Sequence, residues 1–149
     1  MIIKSLDQLN SLSEKIADHL KEKDCIFLTG EIGVGKTTLT RYLINYLQKK
    51  EGSEATEVLS PTFNLLYEYD LKKFKIMHYD LYRLKGEKEL NNLGLFQENQ
   101  SAIKIIEWPN LIKTPISDKL EIHLDYAKHN HERELRLLGT GKWKNLNEL

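Results

Sequence analysis

The stretch Cys25-Ile26-Phe27-Leu28-Thr29-Gly30-Glu31-Ile32-Gly33-Val34-Gly35-Lys36-Thr37 decides how the rest of this chain is read. From Gly30 to Thr37 it meets the pattern G-x-x-x-x-G-K-[ST] at every fixed position, and Cys25 to Leu28 form the apolar strand that such a loop follows. Glycines let the loop backbone turn its N–H groups inward around phosphates, Lys36 reaches the outer phosphates, and the Thr37 hydroxyl ligates Mg²⁺. The helix that opens at the loop adds the positive end of its dipole. A nucleoside triphosphate with magnesium is the expected ligand.

Working outward, Leu39, Tyr42, Leu43, Tyr46 and Leu47 share one face of the following helix, and the polar stretch Gln48 to Glu57 reads as a surface loop. Upstream, Ser5 caps a first helix whose Leu6, Leu9, Leu12, Ile16, Ala17 and Leu20 recur at helical spacing up to Lys21-Glu22-Lys23. Downstream, Asn64 to Tyr69 and Phe74 to Tyr82 read as a hairpin around Asp70-Leu71-Lys72-Lys73, and Gly86 to Asn99 as a short helix and loop over the active edge. Ala102 to Ile106 reads as a buried strand. Leu120, Ile122, Leu124 and Tyr126 alternate with Glu121, His123 and Asp125 as a half-exposed strand, and Leu135 and Leu137 mark its antiparallel partner. Lys142 to Leu149 reads as a short final helix.

The architecture predicted from this order is a three-layer α/β fold of the phosphate-loop type. Its central sheet is mixed and largely parallel, with antiparallel strands at the later edge and the ligand beyond the strands' carboxyl ends. The 149 residues suit one domain spanning the whole chain. With 22 basic and 22 acidic residues, composition gives no overall electrostatic pull toward nucleic acid or a membrane surface. The single cysteine, Cys25, lies in an apolar run and reads as a core residue, and no disulfide can form within the chain. The longest purely apolar run is Cys25 to Leu28 and no hydrophobic leader is legible, so the expectation is a cytoplasmic protein without a membrane segment.

Phosphoryl chemistry needs an acidic ligand for the magnesium or its waters, and it stands at the end of a hydrophobic strand near the loop. Asp80 closes Phe74 to Asp80 and Glu107 closes Ala102 to Glu107, so one can hold the metal while the other orients water. Spacing along the chain does not decide which. The turn Ser60-Pro61-Thr62 offers two hydroxyls on a restricted backbone, positioned to sense the outermost phosphate. His78 shares a strand face with Asp80 and reads as a residue that orients that carboxylate or packs in the sheet. Trp108 is a core ring or a lid over the nucleotide, and His129 and His131 flank an exposed turn with no third metal ligand nearby.

Taken together, Gly30 to Thr38, Ser60-Pro61-Thr62, His78-Tyr79-Asp80-Leu81-Tyr82-Arg83 and Ile106-Glu107-Trp108-Pro109 resemble, in kind and order, the motif series of the TsaE (YjeE) family. The likeness runs on through Glu121-Ile122-His123-Leu124-Asp125-Tyr126. It implies an ATPase of low intrinsic rate, stimulated by the TsaB and TsaD proteins, that supports threonylcarbamoyl modification of adenosine beside certain tRNA anticodons. The group itself is transferred elsewhere, and tRNA is met only through that complex. Carried over by position, Gly33-Val34-Gly35-Lys36-Thr37-Thr38 hold the phosphates of ATP and Thr37 with Glu107 ligates Mg²⁺. Asp80 acts beside them, Lys36, Asp80 and Glu107 being the catalytic set. Ser60-Pro61-Thr62 is a switch, and segments near Leu6 and near Glu132-Arg133 border the base.

Two other functions use the same loop. A small-molecule kinase would carry an arginine-rich lid, and Arg41, Arg83, Arg133 and Arg136 are scattered. A GTP-dependent switch would carry N-K-x-D or T-K-x-D and D-x-x-G, none of which occurs, so ATP is expected over GTP.

Overall fold

Four apolar residues in a row, Cys25 to Leu28, give a strand with no polar face, and such a strand is stable only where both faces are covered. A computed structural model, which describes residues 1–97 and 101–145, puts it at the centre of the sheet. The elements in chain order are β1 (Ile2–Ile3), α1 (Leu6–His19), β2 (Cys25–Thr29), α2 (Lys36–Lys50), β3 (Leu66–Asp70), β4 (Lys75–Asp80), α3 (Glu87–Asn92), β5 (Ile103–Glu107), β6 (Lys119–Tyr126) and β7 (Arg133–Gly139). The described strands form one sheet in the order β1-β7-β6-β2-β5-β4-β3. Strand β2 pairs parallel with both β5 and β6, and β5 pairs parallel with β4. The later edge is antiparallel, β6 with β7 and β7 with β1, and the predicted β3–β4 hairpin adds an antiparallel strand at the other edge.

Helices α1 and α2 cover one face of the sheet. Ser5 caps α1 as predicted, its Oγ accepting the Gln8 N–H at 3.2 Å, and Leu9, Leu12, Ile16 and Ala17 point inward. With Leu39, Leu43 and Ile44 of α2 they join Ile26, Leu28, Ile103, Ile105 and Ile122 in the main core. On the other face Cys25, Phe27, Tyr79, Leu81 and Ile106 meet Leu90, Leu93, Leu95 and Phe96. The segment expected over the active edge therefore covers a sheet face instead, because its leucines need an apolar partner that the strand ends do not offer. Its last predicted residues, Glu98 and Asn99, lie outside the described residues.

Two further expectations change. Gln48 is a buried residue in the last turn of α2, and its amide bonds the Thr56 hydroxyl and backbone N–H, at 2.8 and 3.1 Å. The stretch read as a loop therefore begins as helix and is tethered. The two-residue β1 went unseen, since so short a strand has no periodicity. The predicted final helix is a 3-10 turn, Gly141–Lys144, that buries Trp143, and residues 146–149 lie outside the described residues.

The join between β2 and the phosphate loop tolerates only glycine. Gly30 has φ +137°, and a Cβ there would stand 2.3 Å from the backbone oxygen of Leu124. Gly30→Ala is expected to cost at least about 2 kcal/mol, seen as a melting temperature lowered by roughly 4 °C or more. An unchanged melting temperature would show that the loop root can move aside.

Candidate nucleotide site

The loop places the first turn of α2 beyond the carboxyl ends of β2, β4 and β5, where ligands of open α/β sheets bind. Gly35, at φ +125°, is the N-cap of α2 and no side chain among the described residues caps the helix, which leaves backbone N–H groups of its first turn for an anion. A cavity of about 320 Å³ opens there, lined by Gly33, Gly35, Lys36, Thr37 and Thr38 from the loop and helix. Its far wall is Ser60, Thr62, Asp80, Tyr82, Glu107 and Trp108. Asp80 and Glu107 are register partners at the ends of adjacent parallel strands, so both carboxylates face the cavity from the sheet.

The two acids are held differently. One oxygen of Asp80 accepts the Tyr82 N–H at 2.9 Å, and the other takes the Thr62 hydroxyl at 2.9 Å and that of Ser60 at 3.3 Å. Glu107, nearly fully buried, meets His78 Nε2 through Oε2 at 2.7 Å. An ionised carboxylate only accepts, so the His78 Nε2–H donates, and its Nδ1 has no partner among the described residues. The histidine thus orients Glu107 and not Asp80. Glu107 lines the cavity, and its Oε1 makes no hydrogen bond among the described residues.

Lys36 Nζ donates to the Gly30 and Glu31 carbonyls at 2.5 and 3.0 Å, and lies 4.6 Å from the centre of the Trp108 ring. Burial holds its ammonium below the ordinary lysine value, with Glu107 and Asp80 opposing. Trp108 takes a left-handed backbone, φ 58° and ψ 59°, that swings its ring over the cavity and against Tyr82 at 4.9 Å. Trp108 is half-buried and forms part of the cavity wall.

Beside this cavity lies a smaller one, about 170 Å³, which shares Gly33, Gly35 and Thr38 and is also lined by Leu6, Val34, His131 and Arg133. Leu6 and Arg133 are thereby brought to the loop. Glu132 lines neither cavity, since its backbone closes the β6–β7 turn through bonds to His129 and Ala127. The sequence reading missed two braces. Arg133 Nε donates to the Val34 carbonyl at 2.9 Å and Tyr126 Oη donates to the Ile32 carbonyl at 3.3 Å, so the hairpin clamps the loop. The only linear signal for them was their place at the strand ends flanking a turn.

A family model described as "Threonylcarbamoyl adenosine biosynthesis protein TsaE" matches residues 3–135, which include every residue of both cavities' walls named above. The chain belongs to the TsaE family. A relative from Aquifex aeolicus, named tRNA threonylcarbamoyladenosine biosynthesis protein TsaE, is 42% identical over 83% of this chain and 86% of its own length. Relatives of the same name from Rickettsia conorii and Bacillus subtilis are 36% and 28% identical, over 86% and 91% of this chain and 71% and 82% of theirs. The crystal structure of Bacillus subtilis YdiB superimposes with a TM-score of 0.70 at 24% identity, covering 98% of this chain and 88% of that one, and shows the same fold. TsaE proteins serve threonylcarbamoyladenosine biosynthesis on tRNA, the pathway in which membership places this chain. Among the described residues no helix is long and apolar enough to cross a membrane.

Proposed function

We propose that this TsaE-family chain is a Mg²⁺-dependent ATPase of low intrinsic rate, and that it acts on a TsaB–TsaD complex during threonylcarbamoyladenosine formation. It would meet tRNA only through that complex. The observation that carries the reading is the convergence of Lys36, Thr37, Asp80 and Glu107 on one cavity at the uncapped start of α2.

The residues fit a magnesium ion. Magnesium takes few protein ligands and completes its shell with water and phosphate oxygens, and the cavity offers the Thr37 hydroxyl and the open oxygen of Glu107. Bound there, the ion would neutralise charge that develops on the phosphates. Lys36 exchanges its two loop carbonyls for phosphate oxygens. Asp80 orients the attacking water or the metal's water shell. The hydroxyls of Ser60 and Thr62, now held on Asp80, can turn to the outermost phosphate and so couple its presence to the turn, which is the switch.

None of the four arginines lines the phosphate cavity. Arg41 holds the Val58 carbonyl, Arg83 stacks on Phe63, Arg133 braces Val34 and Arg136 pairs with Asp125. This favours hydrolysis over a kinase closed by an arginine lid. Phosphate release should rise when the TsaB–TsaD pair is added, ATP should outcompete GTP in a binding titration, and labelled phosphate should appear only as inorganic phosphate. A labelled metabolite would establish a kinase instead, and turnover indifferent to the pair would remove the partner half of the proposal.

A further inference from the structure

Among the described residues, the sheet face that carries α3 is covered on one half only. Over β4 and β5 the leucines after Gly86 pack down, but on β6 the residues of that face, Lys119, Glu121 and His123, are half-exposed, and on β7 Arg136 and Leu138 are exposed. Between the halves runs a groove of about 630 Å³, walled by the segment after β5 from Pro109 to Pro115. Its apolar lining residues are Phe27, buried with the Lys119 ammonium 4.9 Å from its ring centre, Ile112, Leu137 and Leu138, the last 65% exposed, beside the prolines of the wall. Its charges are unbalanced. Among the described residues, Lys113, Lys119 and Arg136 face one lining carboxylate, Glu121, which Lys119 already pairs at 2.8 Å. The neighbouring Asp125 is taken twice, by His123 at 3.1 Å and Arg136 at 3.1 Å. Lys113 has no carboxylate partner among the described residues, so the groove presents a spare cation beside the exposed Leu138.

We infer that this groove is a docking surface for a partner protein that presents an acidic segment with an apolar anchor, the carboxylates meeting Lys113 and Arg136 and the anchor covering Leu138. Three cations on a chain of zero net charge are too few for the many phosphate contacts that nucleic-acid binding needs, and phosphates would leave Leu138 wet. A protein partner uses both features. The groove also reaches the root of the phosphate loop. Thr29, which immediately precedes Gly30, lines it, and its hydroxyl lies 2.5 Å from His123 Nδ1, so a partner seated there presses on the strand end that carries the loop. This inference rests on the proposal that the chain works on a protein complex, and it names the face used.

The test is calorimetric titration of the TsaB–TsaD pair with the chain, its Lys113→Glu/Leu138→Ser variant and a Lys73→Glu control from outside the groove. Both groove substitutions are at exposed positions, and equal melting temperatures confirm that the variant folds. The variant should bind the pair at least tenfold more weakly while the control binds as the unaltered chain does. ATP affinity, measured on each chain alone, should be the same for all. Equal binding by variant and unaltered chain overturns the inference, as does failure of the unaltered chain to bind the pair. In that last case ATP uptake by the chain alone decides separately whether the nucleotide half of the functional reading stands. Salt-sensitive binding of free tRNA that the variant loses would assign the groove to RNA and equally overturn it.

Discussion

Lys36→Ala is expected to lower ATP affinity by roughly 30-fold or more and turnover by on the order of 10²-fold, with the fold intact. The affinity figure follows from losing at least one charge-assisted hydrogen bond to phosphate, worth about 2 kcal/mol. The turnover figure follows from removing a preorganised positive donor from a site where negative charge develops. Stability should move by less than about 1 kcal/mol, because the ammonium is buried against two loop carbonyls and burial already disfavours its charge. The same depressed value gives a pH signature. Phosphates raise the Lys36 value on binding, so between the free and bound values binding takes up a proton, and affinity falls as pH rises through the free value. Lys36→Met, which cannot titrate, should flatten that alkaline limb. Equal affinity and turnover in the alanine variant would mean that the cavity does not hold the triphosphate.

Much of this was legible in the sequence because it depends on local rules. A strand with no polar face must be central, and Cys25 to Leu28 is. Asp80 and Glu107 could be picked out as carboxylates closing hydrophobic strands, and the half-exposed alternation of Lys119 to Tyr126 was visible as a period of two. What could not be read is what lies across the sheet. Along one strand, same-face neighbours two residues apart stand about 6.6 Å from each other, whereas adjacent strands are only about 4.8 Å apart, so a cross-strand carboxylate can outcompete a local one. His78 therefore meets Glu107 on β5 and not Asp80 on its own strand. The braces from Tyr126 and Arg133 escaped for the same reason, since they join residues 94 and 99 positions apart. Glu132, beside Arg133, lines neither cavity, and its backbone closes the hairpin turn through bonds to His129 and Ala127.

The pair formed by His78 and Glu107 yields the second large effect, and two substitutions at one position separate its chemistry from its structural role. Glu107→Gln keeps the shape and an oxygen that accepts the His78 Nε2–H, so the melting temperature should stay within about 2 °C. It removes the negative charge that the proposed metal site needs. The Mg²⁺ concentration for half-maximal turnover should rise by about tenfold or more, and the maximal rate should fall. Glu107→Ala adds a structural injury. His78 is fully buried and its Nδ1 has no partner among the described residues, so losing the carboxylate strands the second ring nitrogen as well. An unsatisfied buried donor costs about 1 to 3 kcal/mol, a melting temperature lower by roughly 2 to 10 °C. His78→Ala combined with Glu107→Ala should recover part of that loss without recovering turnover, because the stranded donor is gone while the metal ligand remains absent. If the glutamine variant responds to Mg²⁺ as the unaltered chain does, Glu107 is no metal ligand, and Asp80 is the other strand-end carboxylate on the cavity that could hold the ion, its Oδ1 taking, among the described residues, only the Tyr82 N–H.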